Sequence, residues 1–134
     1  MIGMPRILTI CLWLIRVLGV LVLILGLVVW VQNAPPNTNP LTQPHMGLGL
    51  LMVLSIWVFA ATSVSAGASV GTAVGFALLG LVMVLFGGAQ DNVLPEPNPT
   101  HVVIKVVHLL IGLAAMAVAE WMYSGIRRIR LARA

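Results

Sequence analysis

The chain has 134 residues, of which 60% are hydrophobic and 7% are charged, and its formal net charge is +4. A mean hydropathy of +1.10 with so little charge excludes a soluble domain and indicates a polytopic membrane protein with one domain. The positive charges lie mostly near the two ends of the chain, which is typical of membrane topology and not of nucleic-acid binding. We therefore expect membrane lipid as a partner and no nucleic acid.

Four apolar segments follow one another along the chain. They predict transmembrane helices over about residues 7–31, 45–64, 70–88 and 101–123, within a single domain that spans residues 1–134. The first segment is long and lacks a small-residue cleavage site, so we predict a retained helix and not a signal peptide. Residues 65–69 should form a tight turn, whereas residues 32–44 and 89–100 should form longer, proline-rich loops.

The placement of Lys and Arg predicts the orientation. Neither proline-rich loop contains Lys or Arg, whereas the arginines are grouped near the termini. Both termini are therefore predicted to be cytoplasmic, with the chain crossing the inner (plasma) membrane several times. The expected fold class is all-α, an integral membrane four-helix bundle.

Two ionisable residues lie toward the predicted cytoplasmic ends of the first and fourth helices. They are Arg16 and Glu120. An unpaired charge below the membrane interface is costly, so we predict that these two side chains form an ion pair.

The two halves of the chain share a sequence pattern. His45 and His108 each open the stretch His-x-x-x-Gly-Leu, with Gly49 and Gly112 as its glycines. The histidines are offset by 63 residues, and two glycines in each preceding helix match at an offset of 61 residues. These matched glycines are Gly19, Gly26, Gly80 and Gly87. The pattern predicts a bundle built from two similar helical hairpins.

The fourth segment carries ionisable residues on one face. His101, Lys105 and His108 follow one another at spacings of four and three residues, which places them in one stripe of a helix. Ionisable groups in hydrocarbon usually face a bundle interior or a cofactor, so this stripe should point inward. If the second helix begins near Leu41, His45 lies at the same level as His108.

Two imidazoles from different helices, each followed by a glycine, suit the axial ligation of one b-type haem. His45 and His108 would bind the iron, and Gly49 and Gly112 would let the porphyrin plane approach the helix backbones. The competing interpretation is an interfacial His45 and a hydrogen-bonded core His108. Zinc is disfavoured, because histidines without a well-placed carboxylate or cysteine make a weak ligand set.

Two further residues would lie between this haem and the outer surface. His101 and Lys105 would hold the propionates by charge-assisted hydrogen bonds. Alternatively both residues are interfacial, with the Lys105 side chain extending outward to the headgroups. No catalytic residues are predicted, and we do not expect the chain to be an enzyme on its own.

Histidines at this separation on the second and fourth helices resemble one four-helix half of haem A synthase, or a related four-helix membrane cytochrome b. The resemblance implies that His45 and His108 are axial ligands. The catalytic half of that family has Glu three residues before its first ligand and often Arg after it, whereas here Thr42, Met46 and Leu109 stand at the corresponding positions. The resemblance therefore implies haem binding and not oxidation of a haem methyl group.

Three functions follow from these interpretations. The leading hypothesis is electron transfer, alone or as a subunit of a redox complex, with quinol or other membrane subunits as partners. The second is a cofactor-free scaffold subunit that packs through the closely spaced glycines Gly67, Gly71 and Gly75. The third is a pigment-binding membrane subunit, in which each histidine would face lipid or a separate pocket.

Overall fold

The structure is a computed structural model that describes residues 5–32, 38–93 and 100–133, and of residues 90–93 it describes the helical backbone alone. The four helices in these ranges are α1 (Arg6–Gln32), α2 (Thr42–Ser65), α3 (Val70–Val93) and α4 (His101–Ala132). Each contains a stretch that is long and apolar enough to cross a membrane. The prediction of an all-α protein with four such helices is confirmed.

The helices form a bundle in which each one packs against two neighbours. α1 packs against α2 and α4, and α3 packs against the same two helices. Neighbouring helices are antiparallel, so α2 and α4 run in the same direction and lie diagonally across the bundle. Large apolar side chains are exposed on the outer faces of all four helices. Such a surface is typical of a bundle surrounded by lipid.

The second helix begins earlier than residue 45. It starts at Thr42, and the side-chain oxygen of Asn39 accepts a hydrogen bond from the backbone N–H of Leu41 at 3.0 Å just before it. Pro44 fits in the first turn, because its missing N–H has no partner to lose there. The early start places His45 at the end of the first turn, as the alignment with His108 requires. The predicted loop residues 33–37 and 94–99 lie outside the described residues.

The third and fourth helices extend beyond their predicted ends. α3 continues to Val93 and α4 to Ala132, where residues 88 and 123 had been predicted. No proline interrupts the end of α4. The buried face of α4 extends to Ile126, which is 2% exposed. The Arg130 guanidinium donates a hydrogen bond to the backbone oxygen of Ala66 at 3.2 Å, which ties the end of α4 to the α2–α3 turn.

The α2–α3 connection is the tight turn that residues 65–69 predict. Gly67 has φ of +112°, a conformation that residues with a Cβ rarely adopt. The N–H of Gly67 donates to the carbonyl of Val64 at 3.1 Å, and the N–H of Ala68 donates to that of Ser63 at 3.0 Å. This pair of bonds is a Schellman motif, which ends α2 while satisfying its last carbonyls.

The bundle has two unlike halves along its axis. We define the terminal half as residues 6–19, 52–65, 70–80 and 115–132, and the loop half as residues 20–32, 42–51, 81–93 and 101–114. The buried core lies almost wholly in the terminal half, around side chains such as Leu8, Ile15, Phe59, Phe76 and Ala119. Among the described side chains of the loop half, only Met83 and His101 are buried.

Polar bonds between α1 and α4 reinforce the terminal half. The guanidinium of Arg16 binds both carboxylate oxygens of Glu120, with Nη2 at 2.8 Å from Oε2. The Thr9 and Tyr123 hydroxyls form a hydrogen bond of 3.0 Å two turns further toward the termini. The predicted ion pair between Arg16 and Glu120 is therefore confirmed.

Glycines at matched positions bring the two hairpins together. A Cβ added to Gly19 of α1 would lie 2.6 Å from the sulfur of Met116 on α4. A Cβ added to Gly80 of α3 would lie 3.1 Å from Nε1 of Trp57 on α2. Each hairpin thus uses the matching glycine of its first helix to contact the second helix of the other hairpin, as the sequence repeat leads one to expect.

Candidate functional site

The structure brings His45 and His108 together across the loop half. Their ring centroids are 6.3 Å apart, with an angle of 62° between the ring planes. Both side chains are half-buried and lie on the two diagonal helices, so each ring enters the bundle interior from an opposite corner. With metal–nitrogen bonds of about 2 Å and about 1 Å from each nitrogen to its ring centre, two imidazoles flanking one metal ion have centroids about 6 Å apart. The observed separation has that size.

Each imidazole rests on a glycine of the preceding helix in its own hairpin. A Cβ added to Gly26 would lie 2.9 Å from Cε1 of His45, and one added to Gly87 would lie 3.0 Å from Cε1 of His108. Real Cβ atoms essentially never approach another atom as closely as 2.9 Å, and 3.0 Å is tighter than nine in ten real contacts, so a side chain at either glycine would force the ring to shift. The sequence repeat had paired these two glycines without indicating that they receive the histidines.

A backbone carbonyl orients His45. Its Nδ1 lies 3.1 Å from the backbone oxygen of Val22 on α1. A carbonyl oxygen only accepts, so Nδ1 of the neutral ring carries the proton and the lone pair lies on Nε2. Metal-bound histidines commonly donate their second ring N–H to a carbonyl in this way. Sequence reasoning missed Val22, because any residue type can supply a backbone carbonyl. The only indication in the sequence was Gly26, four residues later, which leaves that carbonyl accessible.

Unsatisfied polar atoms cluster at the same place. Among the described residues, the buried side-chain atoms without a hydrogen-bond partner are Oγ1 of Thr42 and Nδ1 of His108. Thr42 precedes His45 by one helical turn and shares its face. Buried polar groups are normally paired, so an orphaned ring nitrogen in the histidine pair is compatible with a partner other than the described residues.

Open space accompanies these orphans. A Cβ added to Gly49 or Gly112 would meet no atom within 4 Å, although each glycine lies one turn beyond a histidine on the same face. The centroid separation of 6.3 Å, the orphaned Nδ1 of His108 and the glycines one turn beyond each histidine are compatible with the two axial ligands of a haem. The sequence-predicted residues His45, His108, Gly49 and Gly112 therefore lie at one site.

The other predicted residues occupy the outer part of the same helix. His101 begins α4 and is 2% exposed, while Lys105 is half-buried one turn further on. Seven residues of helix separate His101 from His108, which is about 10 Å along the axis. Met46 is 52% exposed beside His45, so its side chain lies on the outer side of the bundle.

Within the described ranges, no group of three or more His, Cys, Asp or Glu side chains is placed to hold a metal ion. Comparison with protein-family models, with curated proteins and with solved structures finds no match to this chain. The resemblance to haem A synthase or to a membrane cytochrome b therefore stays a prediction from the sequence pattern alone.

Proposed function

We propose that this chain is a membrane-embedded protein that binds one b-type haem through His45 and His108, and that it serves in electron transfer or as a subunit of a redox complex. The observation that carries the proposal is the pair of imidazoles 6.3 Å apart across the loosely packed loop half. A haem in this place would supply one-electron redox chemistry.

The roles of the surrounding residues follow from their positions. Nε2 of His45 would bind the iron from α2, with its ring held by the bond to the carbonyl of Val22. Nε2 of His108 would bind from α4. His101 and Lys105 lie one to two turns nearer the loop end, where they would donate hydrogen bonds to the propionates.

The orientation of the chain is part of the proposal. Arg6, Arg16 and the arginines after residue 126 all lie in the terminal half or just beyond it, so the positive-inside rule places that half toward the cytoplasm. The histidine pair would then lie near the outer face of the inner (plasma) membrane. One haem near one face cannot carry electrons across the bilayer, so a quinol or another membrane subunit would complete the path.

Cysteine labelling tests this orientation. In a Cys11→Ser background, Asn92→Cys should react with an impermeant maleimide added to the outside of intact cells, and Ala132→Cys should react only after lysis. Labelling of Asn92→Cys only from the cytoplasmic side would reverse the topology.

A visible absorption spectrum tests haem binding. Protein purified from haem-sufficient cells should show a Soret band and, after reduction, the sharp split bands of six-coordinate low-spin iron. His45→Ala and His108→Ala should each lose the six-coordinate spectrum. Met46→Ala is the matched control, because this neighbour of His45 points outward and its removal should change nothing.

Other outcomes select the alternatives. A wild-type protein without a Soret band would refute the haem proposal and leave the scaffold function. The exposed face at Gly71 and Gly75, where an added Cβ meets no atom within 4 Å, would then be the packing surface to test. Absorption by a bound chlorin would favour the pigment-binding function, which requires the two histidines to serve separate ligands.

A further inference from the structure

The two histidines differ in how their second ring nitrogen is satisfied. Nδ1 of His45 donates to the carbonyl of Val22 at 3.1 Å. In a helix that carbonyl normally bonds the N–H four residues on, here Gly26, and the missing side chain of Gly26 uncovers it for a second donor. The His45 ring is therefore held both by close packing and by a directed hydrogen bond.

His108 has the packing without the hydrogen bond. Its Cε1 would lie 3.0 Å from a Cβ on Gly87, almost the same contact that His45 makes with Gly26. Its Nδ1 is nevertheless buried and has no hydrogen-bond partner among the described residues. The two hairpins thus share the close contact between histidine and glycine, but only the first hairpin has the hydrogen bond from histidine to a backbone carbonyl.

This difference has a consequence for ligation. A hydrogen bond from the second ring nitrogen fixes the tautomer and orientation of a ligating imidazole and makes it a stronger donor, and its loss typically weakens metal affinity 10- to 100-fold. In a His108 ring that binds the iron through Nε2, Nδ1 carries the proton, and a buried N–H without a partner favours any rotation of the ring that finds one.

We propose that His45 is the permanent axial ligand and His108 the exchangeable one, so that the site admits a small neutral diatomic ligand in place of His108. This inference rests on the proposed haem site. In the exchange, the bond between iron and Nε2 of His108 breaks and a bond between iron and the diatomic ligand forms. Each ligand donates one electron pair, so no electron is transferred and no other reactant is needed.

Carbon monoxide is the probe. Added to the reduced full-length protein, it should shift the Soret band of the wild type. His108→Ala should retain haem in a five-coordinate state and bind carbon monoxide at least about tenfold more tightly, whereas His45→Ala should retain little haem. A wild type with a six-coordinate spectrum that does not respond to carbon monoxide would overturn the inference and leave the proposed function standing. A wild type without haem would overturn both.

Supplying the missing partner gives a sharper test. Gly87→Ser and Gly87→Ala add the same Cβ, 3.0 Å from Cε1, 3.7 Å from Nε2 and 3.8 Å from Nδ1 of His108, so both shift the ring alike, but only Ser adds an oxygen that accepts a hydrogen bond. Gly87→Ser should therefore bind carbon monoxide at least about tenfold more weakly than Gly87→Ala. Equal affinities in two haem-loaded variants would contradict the proposed role of Nδ1.

A measurement on the haem-free protein separates the inference from haem chemistry. Long-range ¹H–¹⁵N spectra should show His45 in the single tautomer with the proton on Nδ1, and His108 as a mixture of tautomers. Gly26→Ala should remove the preference at His45. Two histidines with the same single tautomer would overturn the inference whatever the absorption spectrum shows.

Discussion

The terminal and loop halves of the bundle differ in what fills them. In the terminal half, side chains such as Leu8, Ile15 and Phe59 are fully buried and interdigitate. In the loop half, the imidazoles of His45 and His108 lie between the helices, and only Met83 and His101 are buried among the described side chains. In a bilayer the packing of side chains drives helix association, because lipid is as apolar as the core. The terminal half therefore contributes most of the packing that holds the four helices together, and the loop half contributes little.

The largest effect on this contrast should come from the core of the terminal half. Phe59 is fully buried and meets Phe76 edge-to-face, with ring centroids 5.8 Å apart. Phe59→Ala should lower the free energy of unfolding by about 3–5 kcal/mol, measured by detergent titration of the haem-free protein. Leu50→Ala, at a 51% exposed position in the loop half, is the control and should cost less than about 1 kcal/mol. Similar losses in both variants would show that the halves share stability equally.

A single methyl group added at Gly26 should disrupt the histidine site in the loop half without unfolding the bundle. Gly26→Ala adds a Cβ 2.9 Å from His45, which must displace the ring and its bond to Val22. We expect haem affinity to fall by about tenfold or more, while the unfolding free energy of the haem-free protein changes little. Gly88→Ala, on α3 beside Gly87, meets nothing within 4 Å and should leave haem affinity unchanged.

Filling the open space should separate stability from haem binding. Gly49→Leu would occupy uncovered interior, so we expect the haem-free protein to gain about 1 kcal/mol of stability and to lose haem uptake. Gly47→Leu on the exposed face of the same helix is the matched control: it gains the same helix propensity but should leave haem uptake unchanged. Loss of stability in Gly49→Leu would mean that the space is not available to a side chain.

Some of these features were predictable and others were not. Hydropathy sufficed for four helices, and the cost of a lone charge sufficed for Arg16 and Glu120, because both depend on residue type alone. The end of α4 was predicted too early. Residues 124–132 stay helical because Ile126 is buried in the bundle and Arg130 bonds the backbone of Ala66, and neither contact is local in the sequence. The bond from His45 to Val22 was out of reach for the same reason, since its acceptor is a backbone atom on another helix.

The ion pair tests whether the terminal half also depends on charge. A double-mutant cycle with Arg16→Met and Glu120→Gln should give a coupling energy of about 1 kcal/mol, because the two groups bind through two parallel hydrogen bonds but are partly exposed. A cycle with Arg127→Met and Glu120→Gln is the control, and its coupling should be near zero. Equal coupling in both cycles would indicate a general effect of net charge.

The smallest effect is expected at the turn between the hairpins. Gly67→Ala places a Cβ on a residue with φ of +112° and should cost about 1 kcal/mol of unfolding free energy. Gly125→Ala, in the interior of α4 with nothing within 4 Å, should instead stabilise slightly, because alanine favours the helix. A stabilised Gly67→Ala would mean that the Schellman turn is not required.

That short turn makes one chain out of two like hairpins. Were the hairpins separate copies related by a two-fold axis, every substitution would appear twice, and both imidazoles would necessarily have the same partner. Joined through residues 66–69, they are free to diverge: Nδ1 of one histidine is bonded to a carbonyl, and Nδ1 of its counterpart is not. Covalent linkage thus permits a pseudo-symmetric pair of histidines to have unequal hydrogen-bond partners, which a homodimer of identical hairpins could not encode.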